Sequence, residues 1–216
     1  AVTLLEAGFY ENWAETGHTS EARLDLRPAP PETWARSIVA WSSPSGGSNR
    51  VKLLYLLSLA GARRTLDLQS PYVVLDESTR WSLTEARRRG VRVRLLVEGD
   101  LTDAKPVKYA SRADYDGLLA AGIEIHEFQP TMMHVKALVV DGVWSIVGST
   151  NFDNRSLELN DEINVAIADA GLALRLTEDV EVDLRRSRRL TLEAWRDRSA
   201  TEKAREKFWG LFGELF

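Results

Sequence analysis

The chain has 216 residues, a formal net charge of −4, 44% hydrophobic and 28% charged residues, and no cysteine. Its length and composition predict a globular protein with a sizeable core, and the mildly acidic balance argues against a general attraction to nucleic acid or an anionic bilayer. The lack of cysteine fits a reducing compartment, and the sequence has no run of about 18 apolar residues that would predict a membrane span.

The first 33 residues predict a helix followed by a connector. Apolar residues and one glycine recur at helical spacing: Leu4, Leu5, Gly8, Phe9 and Trp13. Residues 14–33 are polar and rich in proline, which is typical of a connector between two lobes. The chain starts at Ala1 without a methionine, inside the predicted helix.

Strand-like and helix-like segments alternate through the next part of the chain. We predict strands at 34–41, 65–70, 91–97 and 123–128. Helices are predicted at 49–62, 76–89 and 105–121. This alternation predicts an α/β domain. A hairpin farther along the chain makes the sheet mixed, and its apolar residues on both faces predict a mixed β-sheet flanked by helices on both faces.

The C-terminal part of the chain predicts two more helices. Residues 172–198 are rich in charges of both signs, which indicates a solvated helix face. In the segment 202–216, apolar residues form one helical stripe: Phe208, Leu211, Phe212 and Leu215. Such a stripe is typical of a helix lying in a membrane interface. Packing of the stripe against the body of the protein or against another lobe explains it equally well.

The most informative segment lies between residues 133 and 151. Asp141 and Gly142 separate two β-rich runs, 134–140 and 143–149, and Asp-Gly is a strong signal for a two-residue hairpin loop. With that loop, paired residue numbers sum to 283, so His134 lies opposite Ser149. Because side chains alternate along a strand, we also expect Lys136 and Asn151 to join them. Asp141 lies at the other end, roughly 20 Å away, and is predicted to be a turn carboxylate.

An imidazole, an ammonium, a hydroxyl and a carboxamide at one point suit a phosphate group. Lys136 would offset its charge, while Ser149 and Asn151 would donate hydrogen bonds to its oxygens. His134 can attack phosphorus only through an unprotonated nitrogen, so its other ring nitrogen needs an acceptor. Glu158 and Glu162 are the nearby carboxylates. Nothing in this cluster requires a metal or another cofactor, although a lone histidine on a strand is more commonly structural.

The spacing H-x-K-x4-D-x6-G-S-x-N resembles the HKD motif of the phospholipase D superfamily. Its positions are filled by His134, Lys136, Asp141, Gly148, Ser149 and Asn151. The resemblance implies that the histidine forms a phosphohistidine, that the lysine and asparagine hold the phosphate, and that Glu162 orients the histidine. It also implies metal-independent chemistry and a phospholipase D-like lobe.

Other segments resemble the second half of bacterial cardiolipin synthases. These are Gln69-Ser-Pro-Tyr72, residues 89–93, 115–122, 151–156 and 159–164. Members of the superfamily use two HKD motifs, and this chain has one, because neither His18 nor His126 is followed by a lysine two residues later. The resemblance therefore implies a partner that supplies the second motif, either an N-terminal HKD half or a second copy of the chain.

The domain organisation follows from this resemblance. Residues 1–33 are interpreted as the end of a preceding lobe and its connector, residues 34–200 as the catalytic lobe, and residues 201–216 as an amphipathic helix. The favoured interpretation is a fragment of a two-motif protein. A natural single-motif protein that has lost its initiator methionine stays open.

The leading functional hypothesis is phosphodiester transfer on a phospholipid, at the cytoplasmic side of a bacterial membrane, with peripheral contact through residues 202–216. One alternative is a metal-independent nuclease acting as a homodimer, which the acidic balance disfavours because nucleases need a basic groove. Another is a non-catalytic lobe that binds phosphate or membrane.

Overall fold

The computed structural model describes residues 2–15, 36–43 and 49–213. The helices in these ranges are α1 (Val2–Glu15), α2 (Arg50–Gly61), α3 (Glu77–Arg88), α4 (Lys105–Ala113), α5 (Tyr115–Ala120), α6 (Asn154–Glu158), α7 (Ala170–Arg185), α8 (Leu192–Arg196) and α9 (Ala200–Gly210). The strands are β1 (Arg36–Ser42), β2 (Thr65–Gln69), β3 (Val73–Val74), β4 (Arg92–Glu98), β5 (Glu124–Phe128), β6 (Ala137–Val140), β7 (Trp144–Gly148), β8 (Phe152–Asp153), β9 (Glu162–Ala168) and β10 (Ser187–Leu190).

Within the described residues, eight strands form one sheet in the order β1-β9-β7-β6-β2-β4-β5-β10, and β3 pairs with β8 beside it. The neighbours β2, β4 and β5 run parallel, whereas the other pairs in the large sheet are antiparallel. Helices connect the parallel strands, because a parallel crossover needs a long connection. The predicted mixed α/β sheet is confirmed.

Side-chain alternation divides the sheet into two buried faces. Leu66, Leu68 and Leu138 belong to the main apolar core, which α2, α3 and α5 help to cover. The opposite face packs against α7 and includes a polar pair, in which Arg94 donates to both carboxylate oxygens of Asp67 at 2.6 and 2.8 Å. Helices on both faces therefore cover the sheet, as the apolar hairpin predicted.

The hairpin is shifted by one residue from the prediction. Asp141 and Gly142 both have positive φ, 55° and 67°, and the Val143 amide closes the turn on the Val140 carbonyl at 3.1 Å. Val140 nevertheless pairs with Trp144, so Val143 is a third residue of the loop and lies outside the ladder. Paired numbers sum to 284, and the strand begins at residue 137. The predicted strand over 134–136 and the pairing of His134 with Ser149 are wrong.

Two predicted helices are also interrupted. Residues 105–121 form α4 and α5, which meet at Asp114, where the carboxylate turns away to pair with Arg80 at 2.9 Å. The predicted helix 172–198 contains α7, the edge strand β10 and α8. Charge pairing explains the strand, because Arg188 and Arg189 on β10 reach glutamates on the neighbouring β5.

The C-terminal helix α9 packs on α4 and does not stand free. Glu206 is buried, and it accepts hydrogen bonds from Arg112 at 2.7 Å and Arg198 at 2.6 Å. Leu211 and Phe208 remain 76% and 54% exposed. The last part of the predicted stripe, Leu215, lies outside the described residues.

The N-terminal helix α1 lies against β1 and β9, as a Cβ on Gly8 would come within 2.9 Å of the Ile163 side chain. The predicted helix over the first residues is confirmed, whereas most of the predicted connector, 16–33, lies outside the described residues. Across residues 2–15, 36–43 and 49–213, every helix falls short of the length and hydrophobicity that crossing a bilayer requires.

Candidate functional site

The candidate site lies along one edge of the sheet. The pairing registers bring the ends of β2, β4 and β7 to the same edge as the beginnings of β6 and β9. Gln69 pairs with Ala137, and Gly148 pairs with Asn164. Residues that immediately precede β6 or follow β7 are therefore neighbours, although they are far apart in the sequence.

His134 and Lys136 precede β6 and meet at this edge. His134 is exposed and Lys136 is half-buried. The Lys136 ammonium lies 3.0 Å from His134 Nδ1 and donates to the His134 carbonyl at 3.1 Å. Because Nδ1 accepts from the ammonium in this arrangement, the neutral ring carries its proton on Nε2. Attack through Nε2 requires Lys136 to turn to another acceptor.

Ser149 and Glu162 form the second pair of the site. The Ser149 hydroxyl donates to Glu162 Oε2 and accepts from the Ile163 amide at 3.0 Å. Ser149 is exposed, whereas Glu162 is buried. Among the described residues, no hydrogen bond joins Glu162 to His134, so the acceptor that the sequence assigned to the histidine is engaged by Ser149 here.

Asn151 follows Ser149 and is half-buried beside Asp153. Burial raises the pKa of Asp153 to about 6, and hydrogen bonds from Ser156 and Asn151 oppose that rise. The Asn151 Oδ1 atom is buried with no hydrogen-bond partner among the described residues. A buried polar atom without a partner is uncommon, so the Asn151 amide oxygen has unused capacity to accept a hydrogen bond.

Four carboxyl groups surround Lys136. Burial lowers the pKa of the Lys136 ammonium, and negative charge on the four acidic groups opposes this shift. In order of their effect, these groups are Glu162, Asp103, Asp153 and Glu98. Burial also raises the pKa of Glu98, whose two carboxylate oxygens are both buried. Three of the four acids were not anticipated from the sequence.

Of the three unanticipated acids, Glu98 could have been found from its position at the end of β4, since ligands bind at the carboxyl ends of parallel strands. Asp103 follows in the loop after β4, where it accepts a hydrogen bond from Tyr72. Asp153 caps α6 by accepting from the Ser156 amide at 2.7 Å. Each of these acids has a local structural contact that gives no sign of a shared site. Only the arrangement of the sheet places them near Lys136.

Asp141 lies at the far end of the hairpin and contacts backbone. Its carboxylate accepts from the amides of Arg63, Arg64 and Thr65 at 2.9, 2.7 and 2.9 Å. These hydrogen bonds lower the pKa of Asp141 and outweigh the effect of burial. The contacts tie the hairpin to the turn between α2 and β2.

Gly148 has a steric role beside Ser149. A Cβ at this position would lie 2.3 Å from Asn164 Oδ1 and 2.4 Å from the Ile163 carbonyl oxygen. Real Cβ atoms do not approach other atoms so closely, so only glycine allows β7 and β9 to pair here. The Asn164 amide in turn donates to Thr150 at 2.6 Å. This packing fixes the segment that carries Ser149 and Asn151.

A pocket of about 460 Å³ opens directly beside Ser149 and Glu162. Its walls come from α1, β1 and β9, and its large apolar lining residues are Leu5, Phe9, Trp13, Trp41 and Ile163. The Phe9 and Trp13 rings stack with their centroids 5.9 Å apart. The sequence predicted the helix but not this pocket, because the pocket forms only where α1 crosses the sheet edge. Among the described residues, no group of three or more potential ligands is placed to hold a metal ion.

Comparison with protein families gives one match over most of the domain. The family described as "Cardiolipin synthase, PLD-like domain" matches residues 55–184. The chain is 35% identical over 159 residues to a probable cardiolipin synthase, YwiE, of Bacillus subtilis (strain 168), covering 74% of this chain and 32% of that protein. It is 33% identical over 192 residues to cardiolipin synthase A of Pectobacterium carotovorum, covering 89% of this chain and 39% of that protein. The chain thus spans 32% to 39% of the length of these relatives.

Solved structures share the fold. Nuc from Salmonella typhimurium, a phospholipase D family member, superposes with a TM-score of 0.61 at 21% identity, over 72% of this chain and 99% of Nuc. The phosphatidylserine synthase of Haemophilus influenzae Rd KW20 superposes with a TM-score of 0.66 at 13% identity, over 83% of this chain and 47% of the synthase. At these identities the likeness is evidence for the fold alone.

Proposed function

Because the chain belongs to the family of cardiolipin synthase, PLD-like domains, we propose that it supplies one of two half-sites for phosphodiester transfer on a phospholipid. His134 attacks phosphorus, so that a P–N bond forms while the P–O bond to the first alcohol breaks. The leaving alcohol takes a proton from an acid of the other half-site. A second alcohol or water then attacks, giving its proton to the group of the other half-site that protonated the first alcohol. This step forms a P–O bond, breaks the P–N bond and releases His134.

The observation that carries this proposal is the contact between Lys136 and His134 beside Ser149. In the first step a phosphate oxygen replaces His134 as the acceptor for the Lys136 ammonium. That exchange frees Nδ1 to hold the ring proton, with Glu162 as its acceptor, and leaves Nε2 unprotonated for attack. Ser149 and Asn151 donate to the other phosphate oxygens as charge develops on them.

Local charge supports the requirement for a second half-site. Lys136 and His134 face four acids, and even with Asp153 and Glu98 shifted toward their neutral forms the surroundings do not favour an anion. A second HKD lobe, either an N-terminal half or another copy of the chain, would add a second lysine and histidine. Those cations would balance the phosphate, and the second histidine would serve as the general acid.

We also propose that α9 brings this site to a membrane surface. Phe208 on α9 and Leu211 at its C-terminal cap are exposed, and Lys207 adds a positive charge in the last turn of the helix. A Cβ on Gly213, just after α9, would lie 3.3 Å from Val74, which pairs with Asp153 where β3 meets β8. The exposed apolar residues are therefore at the end of the molecule that carries Asn151.

An activated lipid phosphodiester tests the chemistry without a partner lobe. With p-nitrophenol as the leaving group, departure needs no proton from a second histidine, so the isolated chain should release a burst of one p-nitrophenolate per protein. His134→Asn should abolish the burst, and Lys136→Met should slow it by about 10² to 10³-fold, as for loss of a donor to a developing charge. His18→Asn, at the histidine outside the motif, is the matched control.

The same assay in EDTA separates this mechanism from metal-assisted hydrolysis, and an equivalent p-nitrophenyl thymidine phosphodiester tests nucleic-acid-like substrates. A burst that persists in His134→Asn, or that requires a divalent metal, would overturn the proposal. Liposome flotation tests α9. Phe208→Ser with Leu211→Ser should reduce binding, whereas Trp81→Ser, which removes an exposed aromatic residue on α3, should leave it unchanged.

A further inference from the structure

We propose that the pocket between α1, β1 and β9 binds the apolar portion of the lipid whose phosphate is held by His134 and Lys136. This inference rests on the proposed function. It assigns the pocket a ligand class, a hydrocarbon chain attached to a phosphodiester, and makes α1 part of the substrate site.

The pocket is continuous with the phosphate site. Ser149 and Glu162 line the pocket, and they are also the groups that meet at the end of β7 and the beginning of β9. A phosphate bound at the Ser149 hydroxyl would therefore place one of its ester substituents at the mouth of the pocket. No rearrangement of the sheet is needed to connect the two.

The lining selects an uncharged, apolar occupant. The described lining residues include Asp161 and Glu162 but no lysine or arginine, so a second anionic group would be repelled. The wall is made of aliphatic and aromatic side chains, including Leu5, Phe9 and Trp41. The volume of about 460 Å³ lies in the range of small-molecule sites, which are mostly apolar with a few polar groups at one end.

Exposure of the lining also fits an apolar ligand. Phe9 is 59% exposed although it faces the pocket. Apolar surface left in water gains free energy when a hydrocarbon covers it, and each buried methylene group corresponds to about fourfold in affinity. A second lobe or another copy of the chain could also cover α1, and the experiment below distinguishes these occupants.

The test measures the affinity of the intact chain for n-alkyl phosphates with four, six and eight carbons, below their micelle concentrations, with inorganic phosphate as the reference. We expect affinity to rise by up to fourfold per methylene in the wild type. Phe9→Asp should flatten this dependence while the affinity for inorganic phosphate stays the same. The matched control is Leu4→Asp on the same helix, because Leu4 is 47% exposed and lies outside the lining.

A second variant keeps the test independent of α1 stability. Leu5→Trp should fill the pocket and make affinity level off at a shorter chain. An unchanged chain-length dependence in both Phe9→Asp and Leu5→Trp would overturn the inference. So would a flat dependence in the wild type, or a Phe9→Asp variant whose only change is lost self-association in sedimentation.

The two proposals fail in different ways. Chain-length dependence that is lost in Phe9→Asp, together with no p-nitrophenolate burst, would support the pocket and refute the chemistry. A burst with no chain-length dependence would do the reverse.

Discussion

Substitutions at Asp141 should weaken the fold in a specific order. Its carboxylate holds three backbone amides, those of Arg63, Arg64 and Thr65, and its own φ of 55° lies in the left-handed region. Asp141→Asn keeps the Oδ1 acceptor for two amides and tolerates this φ, so it should cost about 1 kcal/mol. Asp141→Gly loses all three bonds and should cost about 2–3 kcal/mol. Asp141→Ala loses the same bonds and adds about 1 kcal/mol of backbone strain.

Urea unfolding followed by circular dichroism measures these differences, since 1 kcal/mol is about a fivefold change in the folded-to-unfolded ratio. The pKa of Asp141 is lowered from its ordinary 3.8. The stabilisation from its charge is therefore fully present above pH 3.8 and is lost as the pH falls through the lower folded-state pKa. The gap between the wild type and Asp141→Asn should be constant near neutral pH and narrow below about pH 4.

Equal destabilisation by Asn and Ala, or a gap that does not change with pH, would refute this reasoning. The same variants test whether Asp141 acts at a distance from the chemistry. The four residues of β6 separate it from Lys136, and the five steps along this extended chain span roughly 16 Å. Folded Asp141→Asn protein should bind alkyl phosphates as the wild type does, and a loss of that affinity would place the carboxylate in the site.

Three further predictions concern the site and its support. Glu162→Gln should lower the pKa of Lys136 further, because it removes the strongest opposing negative charge; a ¹³C NMR titration of the lysine side chain would show a lower midpoint, and an unchanged one would contradict the reasoning. Arg94→Met should cost about 3–5 kcal/mol by leaving buried Asp67 unpaired, and a second change, Asp67→Leu, should recover most of it in urea unfolding. Gly148→Ala should destabilise the fold and abolish the burst together, and a stable variant would contradict the close approach of β9.

The hairpin shows how far local chemistry carries a prediction. The Asp-Gly pair specifies a turn with two positive φ values, and that turn is present. Pairing beyond the turn depends on which residues the neighbouring β2 and β9 require in the core, and these strands place Val143 outside the ladder. A one-residue change of register turns every side chain to the other face of the sheet. For this reason the prediction that His134 lies opposite Ser149 was wrong.

The candidate site likewise contains residues that the sequence identified and residues that it did not. The motif spacing identified His134 and Lys136, and the structure brings these two side chains into contact even though neither lies in a strand. Three of the four acids around Lys136 come from β4, the loop that follows it, and the residue that caps α6, and no local pattern relates those segments. These acids come together because of the order of the strands in the sheet, and that order was not predicted from the sequence. The break between α4 and α5 at Asp114 and the edge strand β10 likewise involve ion pairs between residues far apart in the sequence.

The buried carboxylate of Glu206 decides how the membrane proposal can be tested. Deleting residues 202–216 would remove Glu206, the shared acceptor of Arg112 and Arg198. Arg112 would keep its ion pair with Glu127, but Arg198 would lose its carboxylate partner beside Trp195. A truncated protein that failed to float with liposomes would report damage to α4 as readily as a missing anchor. These ion pairs fix α9 to the rest of the protein. If α9 lies on a lipid surface, its angle to that surface would therefore set the tilt of the whole sheet.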